Sequence, residues 1–206
     1  MNSTYTTNCT AFEGSRQIAS GGIRLVALKA QESMNCGEAV PVLIFDDVTS
    51  NLIEVDLRGT AAELLARVGT DGQAAATNHE ADGSADAARR PGRPKLGVVA
   101  REVTLLPRHW EWLAGQPGGA SVALRKLVEQ ARRTNQDKDR LRLARESAYR
   151  FMSAMAGNEP GFEEAARALF AGNQDRFAEN VRRWPADVRK HAMRLAARGF
   201  EGAVAD

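Results

Sequence analysis

The residues whose type and spacing could meet a ligand lie between Arg89 and Arg133, and the chemistry they suggest is electrostatic. A basic turn, Arg89-Arg90-Pro91-Gly92-Arg93-Pro94-Lys95, opens the stretch, and Arg101, Arg108, Arg125, Lys126, Arg132 and Arg133 continue it. Residues 89–150 hold 15 Lys/Arg against 6 Asp/Glu, a net of +9. Residues 1–88 hold 5 against 12, a net of −7, and residues 151–206 hold 8 of each. The overall +2 therefore conceals a local positive field of the kind that gathers polyanions and steers them by diffusion. The other use for such a segment is to neutralise the acidic beginning of the same chain.

Catalytic chemistry finds little to build on. His79, His109 and His191 are far apart, and neither they nor Cys9 and Cys36 show metal-ligand spacing. Asp187 and His191 stand four apart on a helical pattern, which reads as a solvated pair. Asp46-Asp47 follows an apolar run and reads as an Asp-capped turn. Gly14, Gly21-Gly22 and Gly118-Gly119 form no phosphate loop. No enzymatic activity, metal or cofactor is expected. Two cysteines are too few for a disulfide framework and fit free thiols in the cytoplasm. No apolar run approaches the roughly 20 residues that span a bilayer, so no membrane partner is expected.

The elements that must position the charges can be read from periodicity. Residues 8–19 read as a hairpin and Ile23 to Met34 as a helix. Val40 to Phe45 reads as a buried strand, and Leu52 to Leu57 alternates as a half-solvated strand does. Thr60 and Glu63 form a capping box ahead of Leu64, Leu65 and Val68. Residues 69–95 contain no large apolar side chain and read as a disordered linker ending in the basic arm. Val98 to Leu106 reads as a strand. A helix from Pro107 and a second capped by Ser121 follow across Gln116-Pro117-Gly118-Gly119-Ala120. In the second helix Leu124, Leu127, Val128 and Ala131 make one face, and Arg125, Glu129, Arg132 and Arg133 the other. Thr134-Asn135-Gln136 is expected to break it. A helix through Leu141 and Met152 and three shorter ones complete the chain.

Gly92-Arg93-Pro94-Lys95 resembles half of an AT-hook, whose arginines lie in the narrow, electronegative minor groove of A·T-rich DNA. Pro91 stands where that motif has its first core Arg, so the resemblance implies contacts from Arg93 and Lys95 alone. Residues 98 to 133 resemble the ribbon-helix-helix family, in which two chains pair their strands into a ribbon that enters the major groove. The resemblance implies that Arg101 in one strand register, or Thr104 in the other, faces the groove. It further implies that the amides of Gly119, Ala120 and Ser121 hold a phosphate. Arg108, Arg125 and Lys126 would add sequence-independent attraction.

Gly92 to Val99, Leu106-Pro107-Arg108-His109-Trp110, Gln116 to Ser121 and Tyr149-Arg150-Phe151-Met152 also resemble an uncharacterised bacterial family, the domain of unknown function 2239. No activity comes with that name.

The composite expectation is an α+β protein: an acidic ββαββα domain over 1–68, a linker with its basic arm over 69–95, a strand-helix-helix module over 96–136, and a C-terminal helical region over 137–206. The expected function is a DNA-binding regulator acting as a homodimer. The alternative is a protein-interaction module that grips an acidic partner.

Overall fold

A computed structural model describes residues 8–35, 40–74 and 101–201. The fold is α+β, a three-stranded antiparallel sheet followed by helices. The chain divides into two compact units, one of residues 1–78 with 137–206 and one of residues 79–136.

In the first unit the central strand is β1 (Asn8–Glu13), flanked by β2 (Arg16–Gly22) and β3 (Val42–Asp46) in the order β2-β1-β3. Gly14, at φ 54°, turns the hairpin, and Ile18 bulges out where Ala11 pairs with Ala19 but Phe12 with Gln17. Alternation sends Cys9, Ala11 and Ile44 to one face, where they meet Val26 and Ala30 of α1 (Ile23–Asn35). Thr10, Phe12 and Phe45 occupy the opposite face.

That second face explains a departure from the expected boundaries. α1 covers only one side of the sheet, so Phe12 and Phe45 need another cover. They find it in Phe151 and Met152 of α4 (Gly119–Ala156) and in Val188, Ala192 and Leu195 of α7 (Ala186–Phe200). The N-terminal segment and the C-terminal helices therefore share one core rather than forming separate domains. The first unit is thus interrupted in sequence by residues 79–136, which form the second.

The fourth expected strand does not form. Leu52 bridges Phe45 and the Ile53 amide donates to Ile44 O at 2.8 Å, but no ladder continues. Side chains take carbonyls at the far end of the segment and just beyond it. Gln31 Nε2 donates to Leu57 O and Gly59 O, and Arg67 donates to Asp56 O and Arg58 O. Ile53, Val55 and Leu57 still pack inward. The Thr60–Glu63 capping box is present, with Thr60 N donating to Glu63 Oε2 at 2.8 Å and Glu63 N to Thr60 Oγ1 at 3.3 Å. It starts α2 (Ala61–Ala74), which runs past the expected start of the linker. The rest of the linker, with Arg93 and Lys95, lies outside the described residues.

α4 also departs from expectation, because Thr134-Asn135-Gln136 does not break it. Thr134 Oγ1 donates to Gln130 O and Asn135 Nδ2 to Ala131 O, so both side chains bond back to their own helix. At 38 residues the helix is about 57 Å long. It starts in the second unit and ends in the first.

Three short helical pieces and α7 follow. α5 (Phe162–Ala171) closes at Gly172, φ 73°, with Asn173 N bonding Ala168 O at 2.9 Å. Asn173 in turn caps α6 (Gln174–Asn180) by accepting from Arg176 N. A 3-10 turn, Val181–Arg183, leads to Trp184, whose indole donates to Pro160 O at 3.0 Å. Arg145 joins two helix ends, donating from Nε to Gly199 O and from Nη1 to Phe170 O.

Candidate functional site

The second unit is described from Arg101 to Gln136, and it holds most of the residues expected to bind. Residues 101–106 are irregular, not a strand. A strand needs a neighbour for its amides, and this segment has none among the described residues, so Val103 and Leu106 stay exposed. Arg101 and Thr104 are exposed in this irregular segment and share no strand face. α3 (Pro107–Ala114) starts with Pro at its first position and carries Arg108 exposed in its opening turn.

Gly118 and Gly119 have φ of 86° and 73°, a left-handed pair that turns the chain between α3 and α4. α4 begins at Gly119, so Ser121 lies inside the first turn and does not cap it. The expected phosphate clamp is reduced in consequence, because the Gly119 amide is spent on Gln116 O at 2.9 Å. The Ala120 and Ser121 amides have no partner outside the helix among the described residues.

One face of α4 then gathers Arg125, Lys126, Arg132 and Arg133 around a single carboxylate, Glu129, all within two turns. Arg133 Nε lies 3.1 Å and Arg132 Nε 3.9 Å from Glu129. Such exposed pairs contribute only about 0.3–0.5 kcal/mol each, so a phosphate can displace them. Arg125 Nε donates to Ser121 O, and Lys126 has no carboxylate partner among the described residues. The opposite face is apolar and lacks a cover among the described residues. Leu127 is 44% and Val128 62% exposed, and on α3 Trp110 is 42% exposed. Leu113 and Ala123 are the only large or small apolar residues of this hairpin that are buried among the described residues.

The first unit contains a polar cluster that periodicity did not reveal. Thr10 Oγ1 donates to Asp47 Oδ1 at 2.6 Å, and the Arg194 guanidinium lies 3.4 Å from the same oxygen. Arg194 also donates to His191 Nδ1 at 3.0 Å, and Arg198 donates to Asp47 O. Since the arginine must be the donor, His191 carries its proton on Nε2. That nitrogen is buried and has no partner among the described residues. Burial first, then the neighbouring Arg194, pushes the His191 pKa down to about 4. Phe12 and Phe151 enclose the ring, with centroids 5.3 and 4.4 Å away. A sealed, neutral imidazole cannot reach a substrate, and the cluster anchors the sheet to α7.

Asp46 does cap its turn, accepting from Val48 N at 3.0 Å and Thr49 N at 2.7 Å. Asp187 is no partner of His191, because its carboxylate accepts from Gln17 N. Burial, with Asp47 and Asp46 nearby, raises the Cys9 thiol to about 11, which makes it unreactive. A cleft of about 380 Å³ is lined by Pro160, Gly161, Glu179, Asn180, Arg182 and Arg183, and it offers no nucleophile. Among the described residues no His, Cys, Asp or Glu cluster could hold a metal, and no helix is long and apolar enough to cross a membrane.

No curated protein and no solved structure matches the chain. A family model described as an uncharacterised protein conserved in bacteria, DUF2239, matches residues 8–196, which spans the shared core and the basic hairpin alike. The chain belongs to the DUF2239 family.

Proposed function

We propose that this protein is a DNA-binding regulator that acts as a homodimer and contacts DNA through the hairpin of α3 and α4. The observation that carries the reading is the α4 face on which four cations surround one carboxylate. Its attraction is to phosphates, and the open amides of Ala120 and Ser121 support the same chemistry. With no ladder at 101–106, no ordered face is available to read base edges, so binding is to the backbone and independent of sequence. A second copy of the chain covers Trp110, Leu127 and Val128, which a lone hairpin of this size leaves in water.

A salt titration of DNA binding by the full chain tests this. The affinity should fall steeply between 50 and 200 mM salt, by orders of magnitude if six or more phosphates are contacted. Absence of binding at the lower salt concentration removes the reading. The exposed apolar face also favours a second reading, a protein-interaction module with an acidic partner. Light scattering separates them, because a monomer without DNA affinity supports the interaction module.

A further inference from the structure

We propose that Trp112, with Arg108 beside it, is a nucleobase-stacking site, and that the nucleic acid bound by this hairpin is single-stranded or locally unpaired. The inference rests on the nucleic-acid reading above and names its substrate class.

Leu106 at the N-cap of α3 and Trp110 and Leu113 within it follow one another at intervals of four and three, and Leu113 is the buried member. That line is the apolar side. Trp112 lies off it, one turn beyond Arg108 on the polar side, and is 54% exposed. It makes no ring contact and no side-chain hydrogen bond among the described residues. The two tryptophans thus have different tasks. Trp110 belongs with the uncovered apolar face, whereas Trp112 cannot reach that face without unwinding the helix.

The neighbours of Trp112 at three and four residues are Arg108, His109, Gly115 and Gln116, with no carboxylate among them. Gly115 has no side chain to shield the indole, and a Cβ there would meet only backbone oxygens. Gln116 Nε2 donates to the backbone carbonyl Trp112 O at 3.2 Å, so its amide is already engaged at the helix end. A bare aromatic face with a guanidinium one turn away and no carboxylate at its helical neighbours suits a base that stacks while its phosphate meets the arginine. An acidic peptide would use the cations but leave the indole uncovered. Bases inside a duplex are stacked on each other and present no free face, so an unpaired strand is the fitting ligand. The same site, being indifferent to base identity, agrees with binding that reads no sequence.

The experiment compares the full-length protein with Trp112→Ala and Trp112→Phe, using a labelled oligothymidine single strand and a duplex of equal length at one low salt concentration. Circular dichroism checks that each variant is folded. The wild type should prefer the single strand. Trp112→Ala should lose about tenfold or more of that affinity while duplex binding changes little, and Trp112→Phe should recover most of it. An unchanged single-strand affinity in Trp112→Ala, or an equal loss on both probes, overturns the stacking site and leaves the electrostatic reading standing. If the wild type binds neither probe, the nucleic-acid reading fails and this inference with it.

Discussion

The Arg194 guanidinium donates to His191 Nδ1 at 3.0 Å while Nε2 of the same ring is sealed among Phe12 and Phe151 without an acceptor. The histidine therefore faces a cation on one side and apolar carbon on the other, and Asp47 is the one nearby group that favours its charged form. The folded pKa lies at about 4, below the ordinary 6.5. Between those values the unfolded chain binds the extra proton, so stability is fully present above pH 6.5, falls as the pH drops towards 4, and then levels. The contribution is on the order of 3 kcal/mol. His191→Leu should remove this slope and stabilise the fold at pH 5, as read by urea denaturation across the pH range. A slope that survives the substitution assigns it to other groups.

Phe151 touches the sheet and the last helix at once, with ring centroids 5.2 Å from Phe45 and 4.4 Å from His191. Phe151→Ala should cost about 3–5 kcal/mol. Because residues 8–68 and 137–201 share this core, fluorescence and circular dichroism should report one unfolding transition for both segments. Two separated transitions would restore the expected pair of domains.

Gly161 takes φ 83°, and a Cβ there would come within 2.9 Å of Asn180 O, a backbone atom that cannot swing aside. Gly161→Ala should destabilise by about 1–3 kcal/mol in thermal or chemical denaturation. Gly119 has a similar φ of 73° but open space around it, so Gly119→Ala should cost less.

The Cys9 thiol, raised to about 11 by burial and by Asp47 and Asp46, should resist alkylation at pH 8 in the folded protein and react once the chain is unfolded. Mass spectrometry after iodoacetamide treatment distinguishes it from Cys36. Rapid native labelling of Cys9 would contradict its burial against α1.

Arg125 and Lys126 stand on the cationic face of α4 without a carboxylate of their own among the described residues. The double variant Arg125→Ala, Lys126→Ala should weaken nucleic-acid binding and lower the slope of log affinity against log salt by about 1.4 for a single strand. It should leave thermal stability nearly unchanged, since both side chains are exposed. A slope equal to that of the wild type removes these two residues from the interface.

What the sequence determined by itself was local. The Thr60–Glu63 capping box, the Asp46 turn and the two faces of α4 depend on residues a few positions apart, and all are present as read. The tertiary structure decided whatever depends on distant partners. One helix can cover only one face of a sheet, so Phe12 and Phe45 drew the C-terminal helices across the linker into their core. No fourth ladder forms along 52–57, where Gln31 and Arg67 hold the Leu57 and Asp56 carbonyls, and residues 101–106 have no strand neighbour among the described residues. α4 stayed whole because Thr134 and Asn135 bonded to their own helix. The cluster of Thr10, Asp47, His191 and Arg194 joins positions as many as 184 residues apart, a distance over which no periodicity carries information.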